Sequence, residues 1–168
     1  MGFTRGTSQA VAFSPPEPLA MDAASLTDYI RAFPGVETTE ALGYTFFFHG
    51  SDRMLPFATI AHADNEFDRV SDLDRAGVYR LNLGVSRESY RSLFGPEAPR
   101  LGPAGTVETG HDFTVLDRIL PHPFYAPQSW ICVLSPSDET FQEVRPLLAE
   151  AYDRAVARAT RASRPPSD

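Results

Sequence analysis

The chain has no lysine. All fifteen basic residues among its 168 are arginine, which excludes Schiff-base chemistry, a phosphate-loop lysine and a lysine general base together. The simplest cause is nucleotide composition, since arginine, alanine and proline codons accumulate together in GC-rich genomes, but the chemical exclusions hold whatever the cause. Cysteine is almost absent too. Cys132 stands alone, so no internal disulfide forms, and a reducing cytoplasm is the expected location. No apolar run approaches the roughly 20 residues that span a bilayer. The opening MGFTRGTSQAVAFSPPEPLA lacks an apolar core of signal-peptide length and is interrupted by Pro15 and Pro16, so secretion by that route is not expected.

What remains is an ordinary globular composition, 42% hydrophobic and 22% charged, in a length that suits one domain with a real core. The net charge of −7 argues against nonspecific nucleic-acid binding, which needs a basic surface. No stripe of one sign emerges: residues 64–100 carry seven acids against six arginines. Residues 1–20, rich in Ser, Pro and Gly, read as a disordered leader. Met21 directly precedes a helix start and reads as a candidate translation start. The expected folded domain is 21–158, with 159–168 as a fraying tail.

Along that domain, Ser25-Leu26-Thr27-Asp28 opens a short amphipathic helix that Pro34-Gly35 ends. Strands are predicted at Val36 to Ala41, Tyr44 to His49, Phe57 to His62 and Val78 to Val85, with Leu42-Gly43 as a hairpin turn. Ser86 caps a helix running to Phe94. Gly95 to Gly110 is a long Pro/Gly loop, mobile or functional, and Phe113 to Leu120 reads as one or two helical turns. Trp130 to Leu134 is the last strand. Ser137 then starts a closing helix whose buried stripe is Phe141, Val144, Leu147, Leu148, Ala151 and Tyr152, with a kink expected at Pro146. This order predicts an α+β fold, a twisted and mainly antiparallel sheet packed on one face by helices.

Trp130-Ile131-Cys132-Val133-Leu134, followed by SPSDETFQEVRPLLAEAYDRA, resembles the C-terminal half of the YjbR/MmcQ-like proteins. Those end in a Trp-containing strand, an acidic turn and a helix closing in a pair such as Ala151-Tyr152 here. The resemblance implies a CyaY-like fold over about Asp22 to Arg158. More closely, TFFFHG, FATIAHAD, VYRLNLGVSRESYRSLFG and LPHPFYAPQSWICVLSP look like a bacterial family of unknown function without assigned activity. The YjbR-like group has been linked to DNA binding through paired wings. This chain departs from that, having no lysine and a negative charge.

Four histidines carry most of the candidate chemistry. His49 and His122 are placed at a cleft mouth as general acid or base, because only imidazole titrates near neutrality unperturbed. The alternative is that they cap strands and bond backbone carbonyls. His111, near Asp112, joins the candidate ligand-binding set. Arg80 and Asn82 share one face of their strand, opposite Leu81 and Leu83. They read either as an anion-binding groove or as an exposed sheet face. His122 to Trp130 packs aromatic and polar side chains into a proline-stiffened turn, with Tyr125 and Trp130 as an apolar wall.

No metal is expected: no histidine pair sits at i, i+4, and one cysteine cannot build a structural zinc site. The alternation Asp64, Glu66, Asp68 lacks the glycine and closing glutamate of a calcium loop and reads as a solvated acidic loop. Cys132, mid-strand, reads as a small buried hydrophobe. No cofactor fingerprint is present. The expectation is a pocket on the sheet face for a small molecule or peptide, any catalysis being cofactor-free acid–base. Arg80 and Asn82 would form its floor, His49 and His122 its rim. The competing expectation is a non-catalytic protein-interaction or DNA-binding module.

Overall fold

The computed structural model describes residues 21–51 and 53–167; the expected leader, 1–20, lies outside them. The chain runs α1 (Ala23–Arg31), β1 (Val36–Ala41), β2 (Tyr44–His49), β3 (Ala58–Ala61), β4 (Arg80–Gly84), α2 (Arg87–Phe94), β5 (Ile119–Pro121), β6 (Trp130–Leu134) and α3 (Asp138–Ala162). The six strands form one sheet in the order β1-β2-β3-β4-β6-β5, antiparallel throughout. The fold is α+β, as the pattern of elements predicts.

Helix starts follow side-chain capping. Asp22 accepts from the Ser25 amide at 2.7 Å, so α1 begins earlier than the expected opening at Ser25. Ser86 and Ser137 cap α2 and α3 in the same way, at 3.0 and 3.2 Å, satisfying amides that have no partner inside the helix. α3 continues through Pro146 and ends at Ala162, past the 158 boundary.

The predicted helical turns at 113–120 are not there. Asp112 Oδ1 accepts from both the amide and the hydroxyl of Thr114, and Asp117 takes a left-handed φ of 58°. A side chain that bonds its own backbone this way favours turn over helix. The chain then enters β5 at the sheet edge, where the missing N–H of Pro121 is tolerated. The 95–110 loop is also pinned. Val107 is buried, and its amide donates to the Pro123 carbonyl at 2.8 Å.

One sheet face, here the inner face, carries Phe47, Ile60, Leu81, Leu83, Ile131 and Val133. They pack against Leu26 and Ile30 of α1 and Phe141, Val144 and Leu148 of α3. The outer face is unlike it, because Arg80 and Asn82 lie there and both are 0% exposed. Their cover is the acidic loop expected to be solvated. Arg80 forms a fork with Asp68, whose side chain is almost wholly buried, and donates to Ser71 Oγ at 2.8 Å. Burial opposes the guanidinium charge, but hydrogen bonding and charge from Asp68 outweigh it and hold the Arg80 pKa above its ordinary value. Asp64 Oδ1 accepts the Leu73 amide at 2.9 Å and Arg75 bonds the Ser71 and Thr114 carbonyls, tying the loop down around the pair.

Removing one member of a buried ion pair strands the other, at a cost of about 3–5 kcal/mol. Asp68→Ala is therefore expected to lower unfolding free energy by that amount in urea titration. Replacing the pair together, Arg80→Met with Asp68→Leu, recovers much of the loss.

Candidate functional site

The loop holding Asp68 covers only part of the outer face. The turn 122–130, with its 3-10 segment Ala126–Gln128, covers another part. Between them lies a cavity of about 760 Å³, within the size range of small-molecule sites. Tyr44, Phe46, Phe124, Tyr125 and Trp130 supply aromatic walls, and Thr59, Asp68 and His122 the polar groups. The strand register explains the set. Tyr44 and Phe46 alternate onto the outer face of β2, with Phe46 opposite Thr59 and Thr59 opposite Asn82. Around the mouth stand Leu42, Leu55, Phe67 and Tyr125, 56–73% exposed.

Beneath this space runs a directed chain of hydrogen bonds. Tyr44 donates to Asp68 at 2.6 Å; burial first, and then this bond, push its phenol pKa up. Arg80 Nε donates to Asn82 Oδ1 at 2.9 Å, and Asn82 Nδ2 donates to Thr59 Oγ1 at 2.9 Å. Arginine only donates, so it fixes which way the Asn82 amide faces.

His122 is buried, and its Nδ1 accepts from the amides of Phe124 and Tyr125 at 3.1 and 3.0 Å. These bonds place the ring proton on Nε2. Complete burial, then the Arg80 charge, hold its pKa well below the ordinary value of 6.5. A neutral imidazole with Nδ1 engaged and Nε2 protonated has a proton to donate and no free base nitrogen. The Trp130 indole lies on Gly84: a Cβ there would come within 3.0 Å of the ring. Tyr125 flanks it at 6.4 Å between centroids.

The structure thus brings His122, Tyr125 and Trp130 together, with Arg80 and Asn82 directly below. Arg80 and Asn82 do not reach the space themselves. The fork that was expected to hold a ligand anion holds the chain's own Asp68, and the two residues act on the cavity through Asp68 and Thr59. His49 lies on the inner face, edge-on to Tyr152 of α3 at 5.6 Å, so the two expected rim histidines point to opposite sides of the sheet. His111 is exposed beside Phe94, 6.0 Å between rings. His62 bonds Thr45 Oγ1 at 2.8 Å. Cys132 is buried, which pushes its thiol up to about 12. Among the described residues no group of three or more His, Cys, Asp or Glu is arranged to hold a metal, and no helix is long and apolar enough to cross a membrane.

Sequence reasoning missed Tyr44, Phe46, Thr59 and Asp68. The alternation Tyr44, Phe46, Phe48 was the available signal, masked by the continuous Phe46-Phe47-Phe48 run.

The neutral His122 has a consequence for stability. Below about pH 6.5 the unfolded chain takes a proton that the folded site refuses, so its contribution is intact above that pH and is lost as pH falls toward the depressed folded value. The urea stability of the wild type relative to His122→Gln should be flat above pH 7. It should fall from pH 6.5 to 5 with a slope of up to about 1.4 kcal/mol per pH unit.

Neither a curated protein nor a solved structure matches the chain. A family does, over residues 21–164, a span that holds every helix and strand of the fold and all the walls of the cavity. The chain belongs to this family of unknown function, DUF6194.

Proposed function

We propose that this protein binds a small, largely aromatic molecule, or an aromatic peptide side chain, in the outer-face cavity. The observation that carries this reading is the conjunction of aromatic walls with oriented polar groups in one open space. A typical ligand site has this composition. Leu42 supports it independently. It occupies a left-handed position, φ 53°, in the tight β1–β2 turn beside Gly43 at φ 77°, where Asn or Gly is favoured. A leucine there is strained by about 1–2 kcal/mol. Being 70% exposed, it adds little to the core. Residues that break local rules without structural return mark functional places, and Leu42 stands on the cavity rim.

The second reading is a protein-interaction module, favoured by the exposed apolar rim. DNA binding has less support, because the chain's charge is −7 and the likeness to YjbR-like proteins is carried by the last strand and helix. Acid–base catalysis at His122 is not part of the proposal, since its base is engaged by the backbone.

Trp130 is the single tryptophan, so energy transfer from it reports a bound probe and the Gly84→Ala variant places that probe. The neutral dye N-phenyl-1-naphthylamine should quench Trp130 by transfer, with a Kd on the order of 1–100 μM. Gly84→Ala, which unseats the indole, should weaken binding at least several-fold while the fold persists. Absence of transfer, with sedimentation showing concentration-dependent self-association, would instead favour the interaction module.

A further inference from the structure

The cavity's polar groups are not interchangeable, because the surrounding bonds fix which of them still has a proton to give. His122 is the first. Its Nδ1 accepts two backbone amides, which have only protons to offer, so Nε2 carries the ring proton. Nε2 has no hydrogen-bond partner among the described residues. Thr59 is the second. Arg80 turns the Asn82 oxygen toward itself, which leaves the Asn82 NH₂ to donate to Thr59 Oγ1. The Thr59 oxygen is therefore an acceptor in that bond, and its own proton has no acceptor among the described residues. Tyr44 has given its proton to Asp68. Asn65 is tied to the backbone as well, its oxygen accepting the Phe67 and Asp68 amides and one proton of its NH₂ going to the Leu42 carbonyl.

Charge is equally constrained. Among the described residues Asp68 is the one acid on the lining, neutralised by Arg80, and none of the described arginines lines the space. An anion entering it would lose hydration without meeting a free cation. A cation would meet a carboxylate already shared between Arg80 and Tyr44. Desolvating an unpaired charge is unfavourable in either case.

Resting on the binding reading above, we infer that the ligand is an uncharged aromatic molecule bearing an acceptor oxygen, a ketone, ester or amide carbonyl. That oxygen takes its hydrogen bonds from Thr59 and His122, and the ring lies among Phe46, Phe124 and Trp130. A site built from committed donors discriminates strongly against analogues lacking the acceptor, because its own polar groups are then left unpaired.

Four matched probes test this with the full chain: acetophenone, ethylbenzene, benzoate and benzylammonium. Binding is followed by the shift of the Trp130 indole N–H in proton–nitrogen correlation spectra. Acetophenone is expected to bind about tenfold tighter than each of the other three. Thr59→Val should bring acetophenone close to the level of ethylbenzene, while Thr59→Ser, which keeps the hydroxyl, restores the preference. Equal binding of acetophenone and ethylbenzene overturns the donor assignment and leaves the cavity reading standing. Tighter binding of benzoate or benzylammonium overturns the claim of neutrality. Failure of all four, together with the naphthylamine dye, overturns the cavity reading itself.

Discussion

The outer half of this structure is organised by one buried charge. A guanidinium at the centre of a sheet is a costly thing to desolvate, by several kcal/mol even after relaxation. Arg80 is tolerable there only because Asp68, Ser71 and Asn82 surround it. That requirement pulls residues 64–76 down onto the sheet and decides which carboxylate of an acidic stretch is inside. It also orients Asn82, and through Asn82 it orients Thr59. The inner face needs no such device, since ordinary apolar packing of α1 and α3 covers it.

The cavity is the complement of that arrangement. A loop held by a polar bolt and a turn held by prolines cover the same face from two sides and leave an aromatic-walled space between them. The same bonds that stabilise the face set much of the chemistry it presents: a neutralised acid at Asp68, and protons left to give at Thr59 and His122. Stability and recognition are thus coupled through one hydrogen-bond chain, and changing Asp68 or Asn82 acts on both.

The elements that sequence makes plain are those written in contiguous residues. The caps at Ser86 and Ser137, the alternation in β4 and the stripe of α3 need no distant partner. The same holds for the wall formed by His122, Tyr125 and Trp130, which lie within one proline-stiffened turn. Less is legible where the deciding contact is remote. Five acids between 64 and 74 look alike, and only the fold selects Asp68 for burial. Strand parity places Phe47 and His49 on one face and Tyr44 and Phe46 on the other, but a run of three phenylalanines conceals that parity. β5 is three residues long and contains Pro121, too short to register as a period. Leu42 reads as an unremarkable turn residue until its backbone conformation is known.

The account stands on Arg80 being held, dry and paired, beneath the cavity. Hydrogen exchange of arginine Nε–H groups by nitrogen-resolved NMR tests this directly. One Nε–H, absent from the spectrum of Arg80→Met, should exchange on the order of 100-fold or more slowly than those of exposed arginines, and this protection should be lost in Asp68→Ala. If Arg80 exchanges as fast as the exposed arginines, the pair is open to water, the face is not organised around it, and the donors assigned to the cavity lose their basis.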